Sequence, residues 1–347
     1  MLLCKGGIDL IIISDCLTSK PDEGCLKVAT SLAIRLKEAF PETMILTCGS
    51  KQHFSGHYIR LNKLFVNRQL FHILNKTAGS VLYIPFASNT TASAMRAFVL
   101  SVFSHKKISV LFALQHPMNR FARILLRTSK VSVIALAKDS QTYFQSLLGT
   151  RAFYLKTGVD TDQFRPVTRD QKNALKERYG IPADMKVVLH VGHLKTGRNL
   201  DILQTVDAKY FILIVVSSLT SKNADLRARL EKRPHTRIID TYVANIQEIY
   251  QLADVYIFPV MASGNCIDSP LSVLEAAACN LPIVTTPYGE VKELIHGAGY
   301  YPLHACSVPE VASSLEAAMG SQNVHTRETV LDYDWKKSVT RLESMVE

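Results

Sequence analysis

Apolar residues along this chain fall into short unbroken runs, and between the runs they recur at helical spacing. IDLIIIS is followed by CLKVATSLAIRLKEAF, with the periodicity of an amphipathic helix, and then by MILTCG. Unbroken apolar runs that alternate with helical patterns are strands buried on both faces, and such strands form parallel sheets. SVLYIPF, ISVLFAL and VSVIALA continue the series. The segment TRDQKNALKERYGIPADM then breaks it: it is charged and poor in apolar residues, which predicts a connector with a short helix. The alternation restarts with KVVLHVG, YFILIVVS, TRIID, VYIFPV and LPIVTT. The expectation is an α/β chain of two tandem, Rossmann-like, doubly wound domains, residues 1–165 and 166–330. The tail LDYDWKKSVTRLESMVE predicts an amphipathic helix over 331–347 that carries the only tryptophan, Trp335, and packs back on the first domain. Ligands of such sheets bind outside the carboxyl ends of the strands, so the strand-to-helix loops are where chemistry is sought.

Composition narrows the class. A chain of 347 residues is long for one hydrophobic core, in agreement with two domains. Hydrophobic residues at 47% and charged residues at 20% exclude a disordered or fibrous protein. The seven cysteines are odd in number, scattered and without a CxxC pair, so neither a disulfide framework nor a zinc site is expected, and a reducing, cytoplasmic setting is. MLLCKGGIDLIIISD lacks a basic start and breaks at Ser14-Asp15, which predicts a first strand rather than a signal peptide. No stretch reaches the roughly 18 apolar residues of a membrane span. The formal charge of +10 calls for an anionic partner: a phosphorylated substrate, a membrane surface or nucleic acid.

Three loops carry candidate chemistry. KVVLHVGHLKTGRNLDIL reads as a strand, a tight turn at Gly192, and a basic loop opening a helix, with His193, Lys195 and Arg198 in the loop. This is either a diphosphate clamp at a helix N-terminus or a solvated basic turn. Neither GxxxxGK[ST] nor GxGxxG is present. After MASGNCIDS, Pro270 and LSVLEAAA predict a helix whose first turn carries Glu275, and a carboxylate accepting two hydrogen bonds suits the vicinal hydroxyls of a ribose. Asp268 either caps that helix or reaches a sugar hydroxyl. TTPYGEVKELI adds a turn at Gly289 and a further helix start with Glu290 as its cap.

The run GHLKTGRNL … ADVYIFPV … SPLSVLEAAACNLPIVTTPYGEVKELI resembles the nucleotide-sugar domain of retaining glycosyltransferases of family 4, and TGVDTDQFRPV resembles their entry into the interdomain linker. The likeness is specific over 156–295 and weaker across the N-terminal half. It implies the GT-B fold, two such domains facing a cleft. It also implies transfer, with retention, of a sugar from a nucleoside diphosphate, UDP or GDP with UDP favoured, to a hydroxyl of a glycan, lipid or small-molecule acceptor. The resemblance implies no cofactor and no metal.

Carried over by position, Glu275 matches the second acid of the family's E-x7-E signature and binds the donor ribose. The first acid falls on Ile267, a departure from the pattern, with Asp268 one residue on as its substitute. His193 stands where an arginine is common, so Arg198 and Lys195 take over the clamping of the leaving diphosphate. Gly192, Ser269, Pro270 and Leu271 complete the donor set, and the backbone near Tyr242 and Val243 reads the base. In LFALQHPMNR, His116 ends a strand where relatives carry a histidine facing the donor sugar; by itself it reads equally as a structural histidine. Gly24 matches the glycine-bearing loop over the donor phosphates.

The acceptor half holds HKK at His105 to Lys107, MNRFARILLRTSK and LNKLFVNRQLFHILNK. The last two mix bases with Phe, Leu and Ile at near-helical spacing, as interfacial helices do, or as helices with one solvated basic face do. The expectation is an enzyme held at an anionic membrane surface. Nucleic acid is set aside, since no stacking motif or recognition helix accompanies the charge. A sugar-nucleotide epimerase, a phosphorylase and a non-catalytic nucleotide-sugar-binding relative remain as alternatives.

Overall fold

Among the described residues, seven strands make up one sheet: β1 (Leu10–Ser14), β2 (Met44–Thr47), β3 (His57–Tyr58), β4 (Ser80–Ile84), β5 (Ile108–Phe112), β6 (Ser132–Ala135) and β7 (Ala152–Tyr154). The computed structural model describes residues 9–48, 56–218, 223–262 and 264–346. The strand order is β3-β2-β1-β4-β5-β6-β7 and every pairing is parallel. All residues of β1 and β5 are buried, as the unbroken apolar runs require when helices cover both faces.

A second sheet holds β8 (Lys186–Gly192), β9 (Tyr210–Val216), β10 (Thr236–Ile239), β11 (Val255–Phe258), β12 (Ile283–Thr285) and β13 (Tyr300–Pro302), in the order β10-β9-β8-β11-β12-β13 and again parallel. Strand order reverses between β1 and β4 in the first sheet and between β8 and β11 in the second. These are the points where an open α/β sheet offers a crevice.

The chain packs into two units. One comprises the residues up to Thr157, the three residues Ile267–Ser269 and the helix from Trp335 onward; the other comprises Gly158–Cys266 and Pro270–Asp334. The division therefore falls at Thr157/Gly158, where the sequence reading put it after residue 165. The last helix runs from Trp335 to Val346, and Leu331–Tyr333 before it is a 3-10 turn. Its buried face, Trp335, Val339, Leu342 and Val346, has helical spacing and packs on the helix Gly24–Ala39 and against β4 and β5.

The connector helix Arg169–Arg178 begins with a capping box between Thr168 and Gln171. Lys172 and Lys176 on its inner face reach Asp254 at 3.2 and 3.0 Å, and Asp254 also accepts from the Val187 N–H at 2.9 Å. Burial alone pushes the Asp254 carboxyl up; the two lysines and the N–H outweigh that and hold it below its ordinary value.

Candidate functional site

Gly192 closes β8 at the switch point of the second sheet. The α-helix expected after it does not form. Asn199 turns left-handed (φ 56°) and leads into a 3-10 turn, Leu200–Thr205. A turn of this length stacks too few peptide dipoles to attract an anion, so positive charge here has to come from side chains. Arg198 supplies it. The residue is buried (4% exposed), and among the described residues its guanidinium makes no hydrogen bond or ion pair; Nε is fully covered and unpartnered. A buried, unpaired cation is costly, which makes it the strongest mark of an anion site on this unit.

The space around Arg198 exists because residue 192 has no side chain. A Cβ there would lie 3.0 Å from Arg198 Nη1 and 3.0 Å from His190 Nε2. Gly192 is thus needed for room and not for a left-handed backbone. Gly197 is needed for both: its φ is +91° and a Cβ would meet the Asn265 amide at 2.8 Å. Lys195 is exposed on the same loop and His193 is half-buried.

Glu275 lies on the helix Leu271–Ala278 as its fifth residue, one turn further in than the first turn expected for it. It is buried, and Oε2 accepts from the Tyr250 hydroxyl at 2.7 Å. Burial and the adjacent Glu275 push the Tyr250 hydroxyl well above its ordinary pKa, so it remains a donor. The Tyr250 ring packs on Tyr256 at 5.9 Å, and Tyr256 stacks on His190 at 6.4 Å with 13° between planes. A row of buried rings therefore connects Glu275 to the strand that carries Gly192. Pro270 and Leu271 start the Glu275 helix, and Pro270 stands at its cap position without a side-chain hydrogen bond. Val243 is half-buried in the loop between β10 and the helix Ile246–Leu252. No hydrogen bond or ion pair joins it to the other candidates among the described residues.

Asp268 does not cap the helix that follows it. The three residues Ile267–Ser269 belong to the first unit, at the carboxyl ends of β5 and β6. The Asp268 N–H donates to Ala113 O at 2.8 Å, Oδ1 accepts from the Gln115 N–H at 3.1 Å, and Oδ2 accepts from the Ser140 hydroxyl at 2.5 Å. Burial pushes its carboxyl up to about 6 against these two donors, and Asp139 adds to the rise. Both oxygens already have protein donors. Ser269 is fully buried, and its hydroxyl has no partner among the described residues.

Ile267 packs against Gly24: a Cβ at Gly24 would meet its side chain at 3.1, 3.2 and 3.3 Å. Gly24 opens the helix Gly24–Ala39, whose first free N–H groups, those of Cys25 and Leu26, go to the Glu23 carboxylate at 2.9 and 3.2 Å. That carboxylate occupies donors that a phosphate over the Gly24 loop would use. His116 is half-buried beside Gln115, and its carbonyl accepts from Asn89 Nδ2 at 2.6 Å. The first unit thus brings Gly24, Ile267, Asp268 and the Gln115-His116 loop together. The second brings Gly192 and Arg198 together, with Glu275 at the far end of the aromatic row.

Glu290 is no cap either. The segment Gly289–Glu293 is a 3-10 turn without a side-chain cap, and the buried Glu290 accepts from the Tyr333 hydroxyl at 2.5 Å. Sequence reasoning passed over His190, Tyr250 and Ser140. Only His190 left a signal, a single polar residue within the apolar run KVVLHVG.

On the first unit, helices Thr91–Phe103 and Arg120–Thr128 pack together. They leave Phe103 and Phe121 each 52% exposed, with Ile124 and Val102 exposed beside them. Among the described residues no helix is long and apolar enough to cross a membrane.

Residues 186–321, from β8 through the helix Val308–Gly320, match the family model described as "Glycosyl transferases group 1". A putative teichuronic acid biosynthesis glycosyltransferase, TuaC of Bacillus subtilis, is 23% identical over 164 residues, which span 47% of this chain and 40% of that protein. Among solved structures, a glycosyltransferase from Rickettsia africae superposes with a TM-score of 0.79 at 14% identity, covering 98% of both chains. Anabaena HepE in complex with UDP superposes with a TM-score of 0.76 at 13% identity, covering 97% of this chain and 99% of that one. HepE has also been solved with UDP-glucose. The fold is the two-domain α/β architecture of the GT-B glycosyltransferases.

Proposed function

We propose that this chain is a glycosyltransferase that takes a nucleoside diphosphate sugar, UDP-linked, and passes the sugar with retention to an acceptor hydroxyl. The observation that carries this reading is Arg198, buried and, among the described residues, without a counter-ion at the carboxyl end of β8. A diphosphate supplies the missing charge. The complexes of HepE with UDP and UDP-glucose support UDP as the nucleotide.

In the transfer, the acceptor oxygen bonds to the anomeric carbon as the bond from that carbon to the diphosphate oxygen breaks. Negative charge grows on the leaving diphosphate, and Arg198, with Lys195 at the loop surface, stabilises it more than it stabilises the intact donor. The acceptor's proton passes to a leaving phosphate oxygen. Glu275 accepts from the ribose hydroxyls, held in place by Tyr250. Side-chain cations carry the electrostatic role, with no metal ion in the step.

The acceptor belongs to the first unit, and we take it to be a growing polysaccharide or a lipid-linked sugar, in keeping with the teichuronic acid assignment of TuaC. Phe121 and Ile124, exposed on a helix that also carries Arg120, Arg123 and Arg127, suit attachment to an anionic membrane surface. Flotation with anionic liposomes at low salt tests that attachment, and a protein that stays at the bottom of the gradient refutes it.

A thermal-shift screen with UDP, GDP, ADP and their sugars tests the central reading. UDP and UDP-sugars are expected to raise Tm by several degrees in the parent and not in Arg198→Ala. Absence of a shift with every nucleoside diphosphate ends the reading.

A further inference from the structure

His190 lies two residues before Gly192 on β8 and is fully buried. Its Nδ1 sits 2.9 Å from the Ile257 carbonyl oxygen. A carbonyl only accepts, so Nδ1 carries the ring hydrogen. Burial, aided by the positive charge of Arg198, pushes the imidazole down to about 4, so the ring is neutral at physiological pH. Nε2 is then a bare lone pair. It is fully covered, and no donor among the described residues reaches it.

A buried acceptor without a donor is as unusual as a buried cation without an acceptor, and here the two stand on either side of Gly192. Nε2 and Arg198 Nη1 each lie 3.0 Å from the point that a Cβ of residue 192 would occupy. Each is the group the other lacks. The usual partner of a buried arginine is a carboxylate, which would cancel the charge that a diphosphate needs. A neutral imidazole accepts from the guanidinium and leaves that charge intact.

We propose that His190 is the positioning residue for Arg198, its Nε2 accepting a hydrogen bond from the guanidinium as the diphosphate seats, so that the cation is aimed without being neutralised. The inference rests on the reading of Arg198 as the diphosphate contact. The Tyr256 ring stacked on His190 and the Ile257 carbonyl fix the imidazole plane from two sides. The geometry is that of a second residue that tunes the one meeting the ligand.

A double-mutant cycle read by UDP titration calorimetry tests this on the full chain. His190→Leu is expected to weaken UDP binding tenfold or more, and His190→Gln, which keeps a neutral acceptor, to stay within about threefold of the parent. In an Arg198→Ala background, His190→Leu should add nothing further. Parent-like affinity in His190→Leu overturns the inference, as does a loss that multiplies fully with that of Arg198→Ala, since that is what a merely structural histidine gives. If the substituted chains do not fold by circular dichroism, nitrogen NMR of the unmodified protein decides. The Nε2 resonance is expected to move toward the hydrogen-bonded position on adding UDP, and an unmoved bare-acceptor resonance overturns the inference. A parent chain that binds no nucleoside diphosphate removes the Arg198 reading and this inference together, whereas a parent that binds UDP alongside a His190→Leu that binds equally well removes only this inference.

Discussion

The hydroxyl of Tyr250 donates to Glu275 Oε2 at 2.7 Å, so the acid on one helix is oriented by a phenol from the helix before it. Both side chains are buried, so the bond is not exchanged for one to water. Tyr250→Phe removes the donor and nothing else. A hydrogen bond to a charged group contributes about 1.5–3 kcal/mol, and the variant is expected to lose stability of that order. Its KM for the donor sugar should rise more than its kcat falls, because the carboxylate is misplaced but still present. Glu275→Ala should cut transfer by orders of magnitude with the fold intact. Steady-state kinetics beside urea unfolding measure both, and a Glu275→Ala enzyme within a few-fold of the parent refutes the ribose role.

Gly192→Ala tests the space at the end of β8. The new methyl lies 3.0 Å from both Arg198 Nη1 and His190 Nε2, and both have to shift. The expected result is UDP affinity reduced at least tenfold with an unchanged circular dichroism spectrum. Gly24→Ala is the contrasting case: its methyl meets the flexible Ile267 side chain at 3.1 Å, which yields by a few tenths of an ångström. A milder effect is expected there, and calorimetry that ranks the two substitutions the other way contradicts the assignment.

Arg198→Met should stabilise the protein while disabling it. Arg198 is buried and its guanidinium has no partner among the described residues, so replacing it by an apolar chain of similar length removes a charge that no described residue compensates. Thermal unfolding without nucleotide is expected to occur at a higher Tm than in the parent, and the rise in Tm on adding UDP is expected to vanish. A lower Tm without nucleotide would show that the charge is compensated in the fold.

The pH dependence of the first unit turns on Asp268, whose carboxyl burial raises from 3.8 to about 6. The folded state therefore binds this proton more tightly than the unfolded chain. The stability it confers is full below the unfolded value and is lost as pH rises through about 6. A shift of that size corresponds to about 3 kcal/mol. Asp268→Asn mimics the protonated form, accepting from the Gln115 N–H and donating to Ser140. The stability difference between variant and parent should widen in the variant's favour by about that amount between pH 4 and pH 7. Denaturant titrations that give a constant difference across this range count against it.

Periodicity was enough to read the strands, because parallel strands covered on both faces leave an unbroken apolar trace and KVVLHVG or ISVLFAL has no other fold-compatible reading. It failed where a partner lies far along the chain. Asp268 reads equally as a cap or as a sugar contact, because Pro270 and a helix follow it at once; its partners, Ala113, Gln115 and Ser140, are more than a hundred residues away. Glu290 was misread for the same reason, with Tyr333 as its distant partner. For Arg198 the residue was legible and its state was not. A basic loop reads as solvated, and only the folded chain shows that the short turn Leu200–Thr205 and the bare α-carbon of Gly192 draw the guanidinium inside.

The helix Trp335–Val346 covers the helix Gly24–Ala39, and Ile267–Ser269 fills a place in the same unit. A domain assembled from three separated stretches has a consequence during synthesis. Domains ordinarily fold in the order in which they leave the ribosome. Here the first unit begins to emerge first and is finished last, since its flank stays bare until residue 346 has been translated, while the whole of the second unit, Gly158–Cys266 and Pro270–Asp334, is already out. The nascent chain therefore carries a half-clad apolar surface through most of its synthesis, a natural client for chaperones, and a message cut short before Trp335 would yield a sound second unit tethered to an unfinished first.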